Sequence, residues 1–378
     1  MELYIFESNL NLIGVIDNYI SLNWTRKYYN TGNFQLVIPA TSKNCEILKL
    51  DNIIYKKGST EAGYIESINI EINEQGQEII TVKGYLLTGY LGHRLNLGVL
   101  TFKGTVEDLM RKLVNDNCIA PADEKRKLPN WELGAKNNFT ENIERQDSYS
   151  DIETFLSELA INNDIGYRAK FDYRNKKIIF ETYKGVDRSY KKNTSIAPII
   201  FSRDFENILS QYYCSDNQNL KNVGVIAGEG EGINRTIVSI GDEAGIKRRE
   251  IFIDARDLQS ETEDGTINTE DYKKLLINRG NERLSNFKAI NTFESMINNS
   301  SNNKYKEDFD LGDIVTVIDK TWGVKIDARI TEVEEVYNEN TLDIYITFGN
   351  SILTLIEKIK RNMRWCNERI ILQLGKWW

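Results

Sequence analysis

Apolar residues arrive in short runs over the first hundred positions. Residues 3–6, 12–17, 34–38, 53–56, 63–72 and 78–82 are rich in Ile, Val, Tyr and Phe, and Asn30-Thr31-Gly32-Asn33 and Asn73-Glu74-Gln75-Gly76 lie between them as turn signals. Short β-prone runs bounded by such turns predict antiparallel strands, here closing into a small barrel or sandwich. Register is least fixed at Gly63-Tyr64-Ile65-Glu66-Ser67-Ile68-Asn69-Ile70, where Ile68 and Ile70 share a face with Tyr64 or its neighbours only if a bulge intervenes.

The period then changes from two to 3.6. Thr105 with Asp108 reads as a helix start followed by Val106, Leu109, Met110 and Leu113, and Ser150 with Glu153 repeats the device before Ile152, Phe155, Leu156 and Leu159. Residues 166–171 and 177–183 flank Asp172-Tyr173-Arg174-Asn175 as a hairpin, so this stretch reads as a small α+β unit. Strand patterning resumes at 209–214, 222–227, 235–240 and 249–253. A helix follows over 269–286, with Tyr272, Leu275, Leu276, Arg279 and Leu284 near helical spacing and glutamate early. Strands are expected again at 289–296, 314–318, 324–336 and 342–348. The chain therefore reads as mainly β and multidomain. A first β-barrel-like domain spans 1–100 and an α+β insertion 101–200. A second β-barrel-like domain, interrupted by the helix, spans 201–350, and a C-terminal segment covers 351–378.

Composition adds constraints. With 378 residues, 40% hydrophobic, 28% charged and only 4 prolines, the chain has globular composition and room for several cores. A net charge of −8 opposes binding to a phosphate backbone, so sequence-specific nucleic-acid binding is not expected. The start, Met1-Glu2-Leu3-Tyr4, lacks the regions of a secretory signal, and no stretch approaches the ~20 apolar residues of a membrane span. The expectation is a chain made and kept in the cytosol, without stable membrane insertion. Cys45, Cys118, Cys214 and Cys366 are scattered, which favours reduced thiols over disulfides or a zinc site.

Candidate chemistry is thin. His93 is the single histidine, whereas zinc peptidases need two or three and Cys or Ser nucleophiles need one as base. It reads as a packing or surface residue. Carboxylates are plentiful and a glycosidase needs only two, but Glu332, Glu334 and Glu335, and Asp242 with Glu243, read as solvated strand faces or turns. Gly228-Glu229-Gly230-Glu231-Gly232 lacks the third glycine of a dinucleotide fingerprint, no Walker lysine follows, and a strand comes next. It reads as a strand-to-strand turn whose glycines supply positive φ or close approach. No catalytic residue, cofactor or metal site is assigned.

Several blocks nevertheless form a pattern. Ile16-Asp17-Asn18-Tyr19 leads to Leu22-Asn23-Trp24-Thr25-Arg26-Lys27-Tyr28-Tyr29 and Gly32-Asn33-Phe34-Gln35-Leu36. Glu61-Ala62-Gly63-Tyr64-Ile65-Glu66 comes next, then the glycine turn with Arg235-Thr236. Arg248-Arg249-Glu250 and Phe252-Ile253-Asp254-Ala255-Arg256-Asp257-Leu258 follow. Late in the chain stand Tyr305-Lys306-Glu307-Asp308-Phe309-Asp310-Leu311-Gly312-Asp313-Ile314-Val315-Thr316-Val317 and Ala328-Arg329-Ile330-Thr331-Glu332-Val333. In this order they resemble the tail hub proteins of phages and prophages of low-GC Gram-positive bacteria, a siphovirus family related to contractile-tail baseplate hubs.

The resemblance implies a homotrimeric ring at the distal end of the tail of a virion or phage-tail-like particle, assembled in the host cytoplasm. Two similar barrels per subunit would give six around a channel, matching a sixfold tail tube or distal tail ring to a threefold spike or fibre. The channel would pass DNA and the tape-measure protein, and three copies would carry three times the charge of −8. The carboxyl end departs from the family pattern. Trp365, Ile370, Leu372, Trp377 and Trp378 are concentrated there, and exposed aromatics of this kind favour docking on a partner over a disordered end. Two other readings stay open: a tail-associated cell-wall glycosidase, and a host-glycan binding module using the 10% aromatic residues.

Overall fold

The computed structural model describes residues 1–74, 76–191, 196–262, 265–338 and 341–349. By compactness the chain divides into one unit of Met1–Tyr212 with Phe293–Gly349 and a second covering Tyr213–Thr292. Trp365, Ile370, Leu372, Trp377 and Trp378 lie outside the described residues.

In the first unit the chain runs β1 (Leu3–Phe6), β2 (Leu12–Ile16), β3 (Ser21–Lys27), β4 (Asn33–Pro39), α1 (Ser42–Ile47), β5 (Ile53–Lys56), β6 (Ala62–Ile72) and β7 (Glu78–Leu86). Next come β8 (Val99–Thr105), α2 (Val106–Val114), β9 (Trp131–Leu133), β10 (Asn142–Ser148), α3 (Ile152–Asn163), β11 (Gly166–Asp172) and β12 (Lys177–Tyr183). β13 (Ile200–Phe201) and β14 (Ile208–Asp216) precede the second unit, which holds β15 (Val223–Ala227), β16 (Ile237–Ile240), β17 (Glu250–Asp254), β18 (Glu261–Thr262), β19 (Gly265–Thr266) and α4 (Thr269–Ser285). β20 (Ile290–Ile297), β21 (Ile314–Asp319), β22 (Val324–Asn338) and β23 (Leu342–Gly349) complete the described chain.

Alternation builds the first core. In β4, Phe34, Leu36 and Ile38 point inward while Asn33, Gln35 and Val37 do not, and the three join Leu3, Ile5, Trp24, Ile54 and Val82 in one cluster. Complete burial of side chains this size stabilises by about 1.5–3 kcal/mol each. The bulge in β6 falls between Ile65 and Ser67. It turns Ile68 toward the cluster that holds Ile65, while Tyr64 faces the other way, against α2, α3 and β11.

The α+β segment forms that second cluster. Thr105 caps α2 by accepting from the Asp108 amide at 3.2 Å, and its hydroxyl donates to the Asp108 carboxylate at 2.7 Å. At α3 the cap is Asp151, which accepts from the Thr154 amide at 2.8 Å, and not Ser150, whose hydroxyl turns back to Asp147. Phe155, Leu156, Leu159, Leu109 and Leu113 pack with Phe171 and Phe180 of the β11–β12 hairpin.

β3 was not expected from the pattern, and it organises the unit. On one side it pairs with β4; on the other, β22 runs antiparallel to it from Glu332 opposite Lys27 to Asn338 opposite Ser21. The start and end of the described chain thus share one thirteen-stranded sheet, ordered β14-β20-β23-β22-β3-β4-β7-β6-β5-β1-β2 with β21 and β13 added beside β22. A third cluster around Phe201, Phe293, Phe309, Val317 and Phe348 fills the β20–β23 side.

In the second unit, β15 lies between antiparallel β16 and parallel β17, and Ile226, Ile253, Ala255 and Leu258 pack against Tyr272 and Leu276 of α4. Asn268 caps α4 through the Asp271 amide at 2.9 Å.

Candidate assembly surface

The glycine turn brings together several of the motif residues. It joins β15 to β16, with Gly230 at φ +97° and Gly232 at φ +56°. A side chain on Gly228 would collide with the Tyr272 hydroxyl, which donates to the Leu258 carbonyl and accepts from the Glu229 amide, both at 2.8 Å. Arg235 donates to the Gly228 carbonyl at 2.8 Å, to the Ala227 carbonyl at 2.9 Å and to Asp254 at 2.5 Å. Burial alone would raise the Asp254 carboxyl, but Arg256 and Arg235 outweigh it and hold the pKa below the ordinary value. The turn is thus closed by the chain's own groups, and its carbonyls face a guanidinium where a phosphate loop would offer amides.

The same device occurs a second time in the next turn. Gly228 to Arg235 reads Gly-Glu-Gly-Glu-Gly-Ile-Asn-Arg and Gly241 to Arg248 reads Gly-Asp-Glu-Ala-Gly-Ile-Lys-Arg. Each ends in a short 3-10 turn, Gly232–Asn234 or Gly245–Lys247, entered through a glycine at φ +56° or +60°. Ile233 and Ile246, at the two tips, are fully exposed, and Ile237 and Phe252 are more than half exposed. Scattered apolar residues in water are ordinary, whereas a contiguous patch of them marks a contact, and these residues are candidates for one. The sequence signal was available in the repeated Gly-Ile pair, but Ile in a strand-rich region reads first as core. Asp242 and Glu243 are exposed, as expected of a turn.

Among the carboxylates, Glu335 departs from its expected solvated position. It is 1% exposed, receives hydrogen bonds from Lys56 and the Tyr337 hydroxyl, and from Lys306 at 2.9 Å. Burial would raise its pKa, but Lys56 and Lys306 overcome that and bring it down to about 2. Lys56, short of water and close to Lys306 and Arg26, falls to about 8 despite Glu335. Beside them the Arg26 guanidinium donates to Glu61 at 2.5 Å, Asp310 at 2.7 Å and Tyr305 at 2.8 Å. A carboxyl held this far down stays ionised near neutrality, and the arrangement ties β3, β5 and β22 together. His93 stands edge-on to Tyr64 and Tyr90, with its Nε2 3.4 Å from the Tyr64 hydroxyl.

Residues 2–350 match the family model described as Siphovirus ReqiPepy6 Gp37-like protein. The chain belongs to this siphovirus family. Its fold is shared with solved tail proteins: one from Neisseria meningitidis MC58 at 15% identity and TM-score 0.57, covering 92% of this chain and 96% of that one. The 43 kDa tail protein of prophage MuSo2 from Shewanella oneidensis aligns at 11% identity and TM-score 0.57 over 92% and 98% of the two chains. The prophage tail protein gp18 from Listeria monocytogenes EGD-e aligns at 13% identity and TM-score 0.51 over 96% and 99%. No curated protein matches the sequence significantly. This family member thus has the architecture of phage tail proteins from end to end of its described residues.

Proposed function

We propose that this chain is the hub of a tail tip or baseplate, a structural protein without an enzymatic role. Three copies close a ring that joins the sixfold tail tube, or a distal tail ring, to a threefold spike or fibre and lines the channel for DNA and the tape-measure protein. The observation that carries this reading is membership of the siphovirus family over residues 2–350, together with a tail-protein fold along the same length. Residues 1–100 and 201–350 supply the two barrel-like hub domains in this reading, with 101–200 as an outward insertion.

The exposed Ile233 and Ile246 are the contacts such an assembly would cover. Trp365, Ile370, Leu372, Trp377 and Trp378 form the second docking element. Cryo-electron microscopy of intact particles tests the proposal. Three copies closing a ring between tube and spike are expected; a peripheral position, or a copy number not divisible by three, overturns it.

A further inference from the structure

A cleft of about 290 Å³ in the first unit is lined by His93, Arg94, Leu95, Leu97, Lys125 and Arg126. Its lining carries three permanent cations and no carboxylate, on a chain whose net charge is −8. Two exposed acids precede Lys125 in the chain. Asp123 accepts from the Lys125 amide at 3.0 Å, and Glu124 lies 3.8 Å from Lys127.

The two arginines are fixed by neutral groups. Arg94 Nε donates to the Arg126 carbonyl at 2.7 Å and its Nη1 to the His93 carbonyl at 2.9 Å. In return Arg126 Nη2 donates to the Leu95 carbonyl and to Asn117 Oδ1, the latter at 3.3 Å. This reciprocal clamp holds the 93–97 segment against the turn at Glu124–Arg126 and sets both guanidinium planes. Arg94 Nη2, Arg126 Nε and Nη1, and the Lys125 ammonium have no acceptor among the described residues. Fixed guanidiniums with spare donors are suited to the paired oxygens of a phosphate, and Lys adds a mobile point charge. Leu95 and Leu97 are about half exposed and lie beside these cations.

We propose that this cleft binds a phosphate ester of a small polyol or sugar. Its phosphate oxygens meet Arg94, Arg126 and Lys125, and its carbon skeleton lies on Leu95, Leu97 and the His93 ring. The cleft sits at the lower end of the range for ligand sites, roughly 300 Å³, which suits one phosphorylated unit and not a large ligand. Neither the hub reading nor the tail-protein fold requires this site.

The test is calorimetric titration of the full chain with glycerol 3-phosphate, with poly(glycerol phosphate), inorganic sulfate and a single-stranded oligonucleotide as further arms. Saturable binding of glycerol 3-phosphate is expected, weakened about tenfold by Lys125→Gln. Among the described residues the Lys125 side chain has no bonding partner, so thermal unfolding of that variant should match the parent. Arg126→Lys keeps the charge, loses the fork and should weaken binding as well. Binding by the polymer as well as glycerol 3-phosphate would assign the source as a phosphodiester chain, and binding by the polymer alone would overturn the site. Sulfate bound as tightly as the ester, binding of the oligonucleotide alone, no binding, or binding unchanged in Lys125→Gln would each overturn it.

Discussion

Lys56 and Glu335, 279 residues apart in the chain, form an ion pair with both side chains almost wholly removed from water. One lies at the end of β5 and the other in β22, so the pair links the sheet's first-formed portion to its last. Removing one partner leaves an uncompensated buried charge. Glu335→Gln should therefore lower stability by about 3–5 kcal/mol, and adding Lys56→Met to it should recover much of that. Urea denaturation of the parent, both single variants and the double variant measures the coupling.

Acid should expose the same link. Glu335 titrates at about 2 in the folded chain against an ordinary 4.5. A carboxyl lowered by folding contributes stability that is present above its unfolded value and disappears as pH falls through the folded one. Up to about 3 kcal/mol should be lost between pH 4.5 and 2. Unfolding midpoints recorded across that window should fall steeply in the parent and less steeply in Glu335→Gln.

In the second unit, Tyr272→Phe removes a hydroxyl that serves both the Leu258 carbonyl and the Glu229 amide. A cost of about 1–3 kcal/mol is expected, and Gly228→Ala, which pushes a methyl into that hydroxyl, should cost at least as much. Hydrogen exchange resolved by segment should accelerate in β15 and α4 for both variants while β3 and β4 keep their protection.

The paired isoleucines predict a different signature. Replacing Ile233 and Ile246 by serine should leave the melting temperature of the isolated chain within about 0.5 kcal/mol equivalent, since neither side chain is buried. If these tips are covered in the particle, the double variant should fail to enter assembled tails. Normal incorporation, measured by mass spectrometry of purified particles, would remove them from the proposed interface.

Local signals were legible in the sequence and long-range ones were not. Thr105 with Asp108 marked α2 correctly because both halves of a capping box lie within four residues. The neighbouring Ser150 and Asp151 are both good caps, and nothing local decides between them. The β6 bulge was foreseeable because the hydrophobic positions slip by one. β3 was missed because Ser21, Asn23, Thr25, Arg26 and Lys27 make it look polar; Arg26 is nevertheless buried against Glu61 and Asp310, the latter contributed 284 residues later. Glu335 was misjudged for the same reason, since its cations come from distant positions. Ile233 and Ile246 carry a local signal in the repeated Gly-Ile pair, but their exposure depends on two turns whose geometry only the folded chain displays.

The pairing of β3 with β22 also sets a timetable for synthesis. When β1 to β7 have left the ribosome, β4 is available to pair with one edge of β3, while the other edge awaits a strand encoded about 300 residues later. At about 5–20 residues per second, that edge stays open for roughly 15–60 s. An open apolar edge would recruit strands from neighbouring nascent chains. Ser21, Asn23, Thr25 and Lys27 make this one polar, so the residues that disguise β3 in the sequence also protect it while the ribosome finishes its partner.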